Sequence, residues 1–170
     1  MNSGRFLLAT TAIVALALSG CAAGPGASAT ASGAPTSVPS ASAPGTPAGG
    51  ATTVDVTVQE FSVLPAVASA PAGDVTFVVT NNGPDDVHEF VVIQTDLAPD
   101  ALPTDENGAV DEAGDGITVI DEIEDIAVGT TEELTTTLAA GNYVLICNIY
   151  EEDEDEAHYQ MGMYTAFTVE

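Results

Sequence analysis

From residue 53 onward the chain is written in short runs of Val, Ile, Thr and Phe, each cut off by Gly, Pro or Asn. Such a pattern leaves little choice of fold. β-Branched and aromatic side chains suit a pleated, half-buried strand, and Gly and Pro end it. No helical periodicity appears after residue 20, so helices do not compete. Residues 54–63 alternate apolar and polar at first, which reads as a strand with one buried face. Pro65 and the Pro71-Ala-Gly73 step mark turns, and residues 74–80 form the next strand, closed by Asn81-Asn-Gly-Pro84. Residues 87–94 give a third strand. Residues 96–116 loosen into a long acidic loop, a length that usually signals function or some local helix. Short strands follow at 117–120 and around 124–128, then at 131–139. Residues 143–147 are the most apolar strand, and residues 164–169 close the domain. About seven or eight short strands separated by turn signals predict an all-β fold, an antiparallel β-sandwich. Residues 51–170 are enough to bury a core without help.

Before that domain the chain has a different character. Arg5 precedes an apolar stretch, residues 6–18, that is too short to span a membrane and stay there. It ends in Leu18-Ser19-Gly20-Cys21, which resembles a bacterial lipobox. That resemblance implies cleavage before Cys21 and lipidation of its thiol, so residues 1–20 are expected to be a lipoprotein signal peptide. Residues 22–50 contain only Ala, Gly, Pro, Ser, Thr and one Val, a composition that cannot bury a core. The segment 21–50 is therefore expected to be a lipid-anchored, disordered linker. As a flexible coil it reaches about 30 Å root-mean-square. The expected location is extracytoplasmic, with the protein lipid-anchored to the cell membrane.

Charge narrows the partners. The chain has 26 Asp and Glu, all after residue 50, against one Lys or Arg, which is Arg5. A domain with no basic side chain does not grip phosphates, so nucleic acid is excluded as a direct partner. No carboxylate can find a Lys or Arg within the domain, and the fold has to tolerate its own repulsion. Either salt screens that repulsion, or the field steers the protein toward a basic partner. The sequence leaves both open.

The chemistry is concentrated near the end. Once lipidation takes Cys21, Cys147 is a lone thiol on an exported protein, where unoccupied thiols oxidise. After ten intervening residues comes His158, followed by Met161 and Met163; the only other histidine, His88, stands at the head of the third strand. Taken singly, His88 reads as an ordinary edge histidine and Cys147 as a buried inert thiol. Together, one Cys, two His and a Met make the donor set of a blue-copper electron-transfer site. Residues 105–111 do not make an EF-hand loop, because Ala109 and Val110 stand where a polar ligand and Gly are needed. No phosphate loop or nucleophile elbow is present.

The motifs Val87-His88-Glu-Phe-Val-Val, Tyr143-Val-Leu-Ile-Cys147-Asn148 and His158-Tyr-Gln-Met-Gly162-Met163 carry a resemblance to the cupredoxins of the plastocyanin, azurin and sulfocyanin type. It spans residues 54–170. The resemblance implies a Greek-key sandwich and one copper ion, alternating between Cu(I) and Cu(II). It implies that His88, Cys147, His158 and Met163 are the ligands. Met161 is the poorer axial candidate, since the four residues between His158 and Met163 match the plastocyanin interval.

Two positions depart from that pattern. Ten residues separate Cys147 from His158 where relatives have only a few, and six of them, residues 151–156, are consecutive acids. Such an insertion is tolerated if its ends stay close, because closing a longer loop costs little. It would lie near the rim where the second His approaches solvent. The acids lower the reduction potential, bind a further cation, or simply face solvent. The second departure is Glu89, where many relatives have Asn, so the usual tie between ligand loops is in question. The expected function is a tethered single-copper electron carrier, monomeric and not an enzyme, docking on redox proteins that include basic surfaces. The alternatives are copper storage or delivery through the same ligands, or a metal-free binding sandwich.

Overall fold

The computed structural model describes residues 51–170; the expectations for the signal peptide, Cys21 and the linker lie outside the described residues. Within them the chain is all-β. It runs β1 (Thr52–Gln59), β2 (Ser62–Pro65), β3 (Ser69–Ala70), β4 (Gly73–Asn81), β5 (His88–Thr95), β6 (Ile117–Ile126), β7 (Thr131–Leu138), β8 (Gly141–Ile146), β9 (Tyr150–Glu151), β10 (Glu156–Ala157) and β11 (Tyr164–Val169). Eight strands have four or more residues and three are two-residue pairings. The predicted sandwich is the observed one. Its two principal sheets have the orders β2-β1-β4-β7 and β3-β11-β8-β5-β6, and β9 and β10 form a separate small hairpin.

The sheets are mixed rather than purely antiparallel. β1 pairs parallel with β4, and β3 pairs parallel with β11. Residues 54–63 are not one strand. The alternation breaks at Glu60 and Phe61, where the chain turns, and β2 folds back antiparallel on β1. In contrast, residues 117–120 and 124–128 are not separate strands. β6 runs continuously through the intervening acids, and two register irregularities against β5 absorb the mismatch. The loop of residues 96–116 has no helix; its one regular feature is a bridge between Thr104 and Val110.

Period-two patterning fills the space between the sheets. Val54, Val56 and Val58 on β1, and Val75, Phe77 and Val79 on β4, face Phe90, Val92, Leu145 and Phe167 from the other sheet. Phe77 sits at the centre, its ring centroid 5.2 Å from Phe90 and 5.7 Å from Phe167. Such tilted and edge-on contacts suit aromatic quadrupoles. A second apolar cluster lies on the opposite face of the larger sheet, where Val91, Ile93, Val144 and Ile146 pack with Leu102, Val110 and Tyr159. The 96–116 loop therefore acts as a cover. It explains why β5 and β8 are apolar runs without alternation, since both of their faces are dry.

Phe77→Ala should lower the free energy of unfolding by about 3–5 kcal/mol, the usual loss for emptying a buried aromatic site. Urea denaturation followed by far-UV circular dichroism measures it.

Candidate metal centre

The order β11-β8-β5 brings three pieces of the chain together at one end of the larger sheet. His88 is the first residue of β5, and Cys147 directly follows β8, which pairs with β5 through Val91 and Ile146. His158 and Met163 lie between the β9–β10 hairpin and β11, which pairs with the other edge of β8. Local backbone bonds hold that segment. The Cys147 amide donates to the Met163 carbonyl at 3.0 Å, the Met163 amide to the His158 carbonyl at 3.1 Å, and the His158 amide to the Ile149 carbonyl at 2.9 Å.

Three side chains converge. His88 Nδ1 lies 3.3 Å from His158 Nδ1 and 3.8 Å from Cys147 Sγ, and Sγ is 3.4 Å from His158 Nδ1. A point equidistant from all three is about 2.0 Å from each, within the bond lengths of roughly 2.0–2.3 Å that imidazole nitrogen and thiolate sulfur make to a transition-metal ion such as zinc. Both imidazoles and the thiol are buried, as is Met163, which packs in the same cluster as Cys147. Met161 is 46 % exposed. The interval in the sequence and the burial thus favour the same methionine.

Burial sets the protonation of these groups. Desolvation holds His88 below the ordinary histidine range, reinforced by the neighbouring His158. Desolvation likewise lowers His158, against the opposing pull of Asp86 and nearby glutamates. Both rings are neutral at pH 7 and each keeps one nitrogen lone pair to give. The Cys147 thiol is pushed up to about 12 by burial, while backbone amides of Glu89 and Ile149 pull the other way. The Glu89 N–H donates to Sγ at 3.2 Å. A proton is therefore retained on sulfur until a cation replaces it.

The departure at Glu89 leaves the link between ligand loops intact, because the bond to sulfur comes from the backbone. A side-chain tie is made instead by Asn148. Its Oδ1 accepts from the Val110 amide at 2.6 Å, and its Nδ2 donates to the Val110 carbonyl and to Glu112 Oε1, both at 3.1 Å. Tyr159 adds a second stitch, its hydroxyl donating to the Pro99 carbonyl at 2.8 Å and accepting from the Leu102 amide at 3.0 Å. Asp105 caps its own loop by accepting from the Asn107 and Ala109 amides, as an Asx turn does. The acidic residues 151–156 supply one residue of each short strand and the whole turn of the β9–β10 hairpin.

His158 differs from expectation. It does not approach solvent, for Ala157 and Tyr159 beside it are buried and the Phe61 ring stands edge-on to the imidazole at 5.4 Å. Glu60 is also close, with Oε1 3.7 Å from His88 Nε2. Glu60, Phe61, Asn148 and Tyr159 carry no motif. Only the break in alternation after Gln59 singles out the first two in the sequence.

Beside the centre, Glu89, Glu112 and Glu122 bring carboxylates within 4.8 Å of one another. Burial first, then Glu112 and Glu122, raise Glu89 to about 7, against a lowering by the Asn148 amide.

No protein family model matches the chain, and no curated protein matches it. Among solved structures it is similar to a dithionite-reduced auracyanin from the photosynthetic bacterium Roseiflexus castenholzii. The identity is 22 %, covering 72 % of this chain and 99 % of that one, with a TM-score of 0.49. It is also similar to auracyanin A from Chloroflexus aurantiacus, described as a blue copper protein, at 21 % identity over 71 % of this chain and 100 % of that one, TM-score 0.48. Reduced rusticyanin matches at 20 % identity over 71 % and 81 % of the two chains, TM-score 0.46.

A raised carboxyl stabilises the fold fully below its unfolded value near 4.5, and that contribution is lost as pH rises through about 7. Metal-free Glu89→Gln should therefore be more stable than wild type at pH 8, by about 1–2 kcal/mol after allowing for partial exposure. The difference should vanish near pH 4. Urea melts at the two pH values measure it.

Proposed function

We propose that this protein is a type 1 copper electron carrier, held by a lipid on Cys21 to the outer face of the membrane. The observation that carries the reading is the donor triangle, two neutral imidazole nitrogens and one sulfur sharing a centre about 2.0 Å from each, at metal–ligand bonding distance. His88, Cys147 and His158 would hold the ion, with Met163 as a further, weak thioether donor. Copper fits this donor set better than zinc. A structural zinc site takes four strong Cys or His donors and a catalytic one keeps a water position, whereas here the fourth candidate is a thioether in a dry core. When bound, copper supplies a one-electron change between Cu(II) and Cu(I).

The chain's own residues do the rest. Burial of all three donors excludes water, and the backbone bonds between Cys147, His158 and Met163 fix the spacing of the loop. Ligands held this way rearrange little between oxidation states, which keeps electron transfer fast. The chain has two histidines in all, both in this site, so a second copper centre of the kind oxidases use has no imidazoles left. The carrier therefore performs no catalysis of its own. Its acidic surface favours brief docking on redox proteins with basic surfaces, and the 21–50 linker keeps the domain near the membrane.

The test is the visible spectrum of the purified protein with Cu(II). Wild type should develop an intense thiolate-to-copper band and Cys147→Ser should lack it; a wild type without the band defeats the reading. Reversible reduction separates carriage from storage, since a store would hold copper without cycling it. Met163→Leu should raise the reduction potential by removing a weak donor to Cu(II), while Met161→Leu should leave it unchanged. Voltammetry reads both.

A further inference from the structure

The two imidazoles are supported differently. Each presents Nδ1 to the triangle, so in a neutral ring whose Nδ1 lone pair is used, Nε2 carries the proton. Both Nε2 atoms are buried, and neither has a hydrogen-bond partner. A buried donor left without an acceptor costs about 1–3 kcal/mol. Among the described residues only His88 has a carboxylate within 4.0 Å, with Glu60 Oε1 at 3.7 Å from Nε2. The other oxygen of that carboxylate, Oε2, is also buried and unpartnered.

Glu60 is anchored independently of the ring. Its Oε1 accepts the Asp86 amide at 2.6 Å and the Asp85 amide at 3.1 Å, immediately upstream of His88. Asn81 secures the same turn, donating to the Asp86 and Ile126 carbonyls at 2.8 and 2.9 Å and accepting the Gly83 amide at 2.7 Å. The carboxylate thus travels with the His88 backbone. Two backbone N–H groups on one oxygen favour the charged carboxylate over the protonated form. With no Lys or Arg in residues 51–170, no side-chain cation competes for it.

We propose that Glu60 is a positioning residue for the metal centre: its carboxylate, 3.7 Å from Nε2 of His88, attracts the proton to that nitrogen and so favours Nδ1 as the lone pair facing Cys147. Its negative charge, passed along the imidazole, favours the oxidised ion over the reduced one. This rests on reading the triangle as a copper centre. Carboxylates behind metal-bound histidines fix the tautomer and raise ligand basicity, and their loss typically weakens metal binding by 10–100-fold. His158 has no such partner, so the two imidazoles are unequal ligands.

Two substitutions in the full chain separate positioning from charge. Glu60→Gln keeps an oxygen for Nε2–H and for the two amides but removes the charge. It should retain the His88 tautomer and the visible spectrum while raising the reduction potential. Glu60→Ala removes both, so long-range ¹⁵N–¹H NMR of the metal-free protein should show His88 shared between tautomers. Copper affinity should then fall about 10–100-fold. An unchanged tautomer and affinity in Glu60→Ala, or a wild-type potential in Glu60→Gln, overturns the proposal and leaves Glu60 a clasp for the turn before β5. If Glu60→Ala does not fold, the potential of Glu60→Gln decides alone. If the wild type gives no thiolate-to-copper band, the copper reading fails, and the metal-free tautomer measurement still reports whether Glu60 governs His88.

Discussion

Pairing of β5 with β8 is the constraint on which the other arrangements depend. Both strands are dry on both faces, one side packed against the β1–β4 sheet and the other roofed by the 96–116 loop. Their antiparallel register sets Val91 opposite Ile146, so the residues just beyond, His88 and Cys147, meet at the same end. Moving a strand by one residue would turn its side chains to the opposite faces. Here such a slip would bury nothing better and would separate imidazole from sulfur. The donor geometry is thus a by-product of how two apolar strands find each other.

Around this pair lies a surface with no cations of its own. The fold answers with neutral donors: backbone amides bind the carboxylates of Glu60 and Asp105, and the Thr137 hydroxyl and Asn142 side-chain amide bind those of Asp74 and Asp96. Such donors carry only partial charge, so they relieve the repulsion locally without cancelling it. Where burial and crowding by other carboxylates coincide, as at Glu89 beside Glu112 and Glu122, the carboxyl gives up its proton only as pH rises through about 7. The acids on β6 serve another purpose. An edge strand bearing Asp121, Glu122, Glu124 and Asp125 is a poor template for a second copy of the chain.

Much of this is legible in the sequence, for identifiable reasons. Unbroken apolar runs reveal β5 and β8 because burial on both faces leaves no polar positions to blur them. The rarity of His and Cys makes His88, Cys147 and His158 conspicuous, and they do lie together. The remainder is hidden because its signals are absent or ambiguous. β6 reads as two fragments, since solvent-facing acids erase its alternation and Asp125 takes a positive φ of 54°. The parallel pairings of β1 and β3 leave no local mark, being contacts with distant strands. Glu60 looks like any other of the 26 acids until its position beside an imidazole is known. The roofing loop betrays only its length, because its apolar contacts come from scattered residues such as Leu102 and Val110.

Ser69–Ala70, the third strand, pairs with Thr168–Val169 in the last one. Pairings so far apart in the chain give high contact order, the class of topology that folds in milliseconds to seconds. β11 is also the strand that seats the segment bearing His158 and Met163, so a chain still growing has neither a closed sheet nor a complete donor set. The thiol of Cys147 gains its two imidazole neighbours only once β11 has docked on β8, so an unfinished chain offers metal ions no assembled trap.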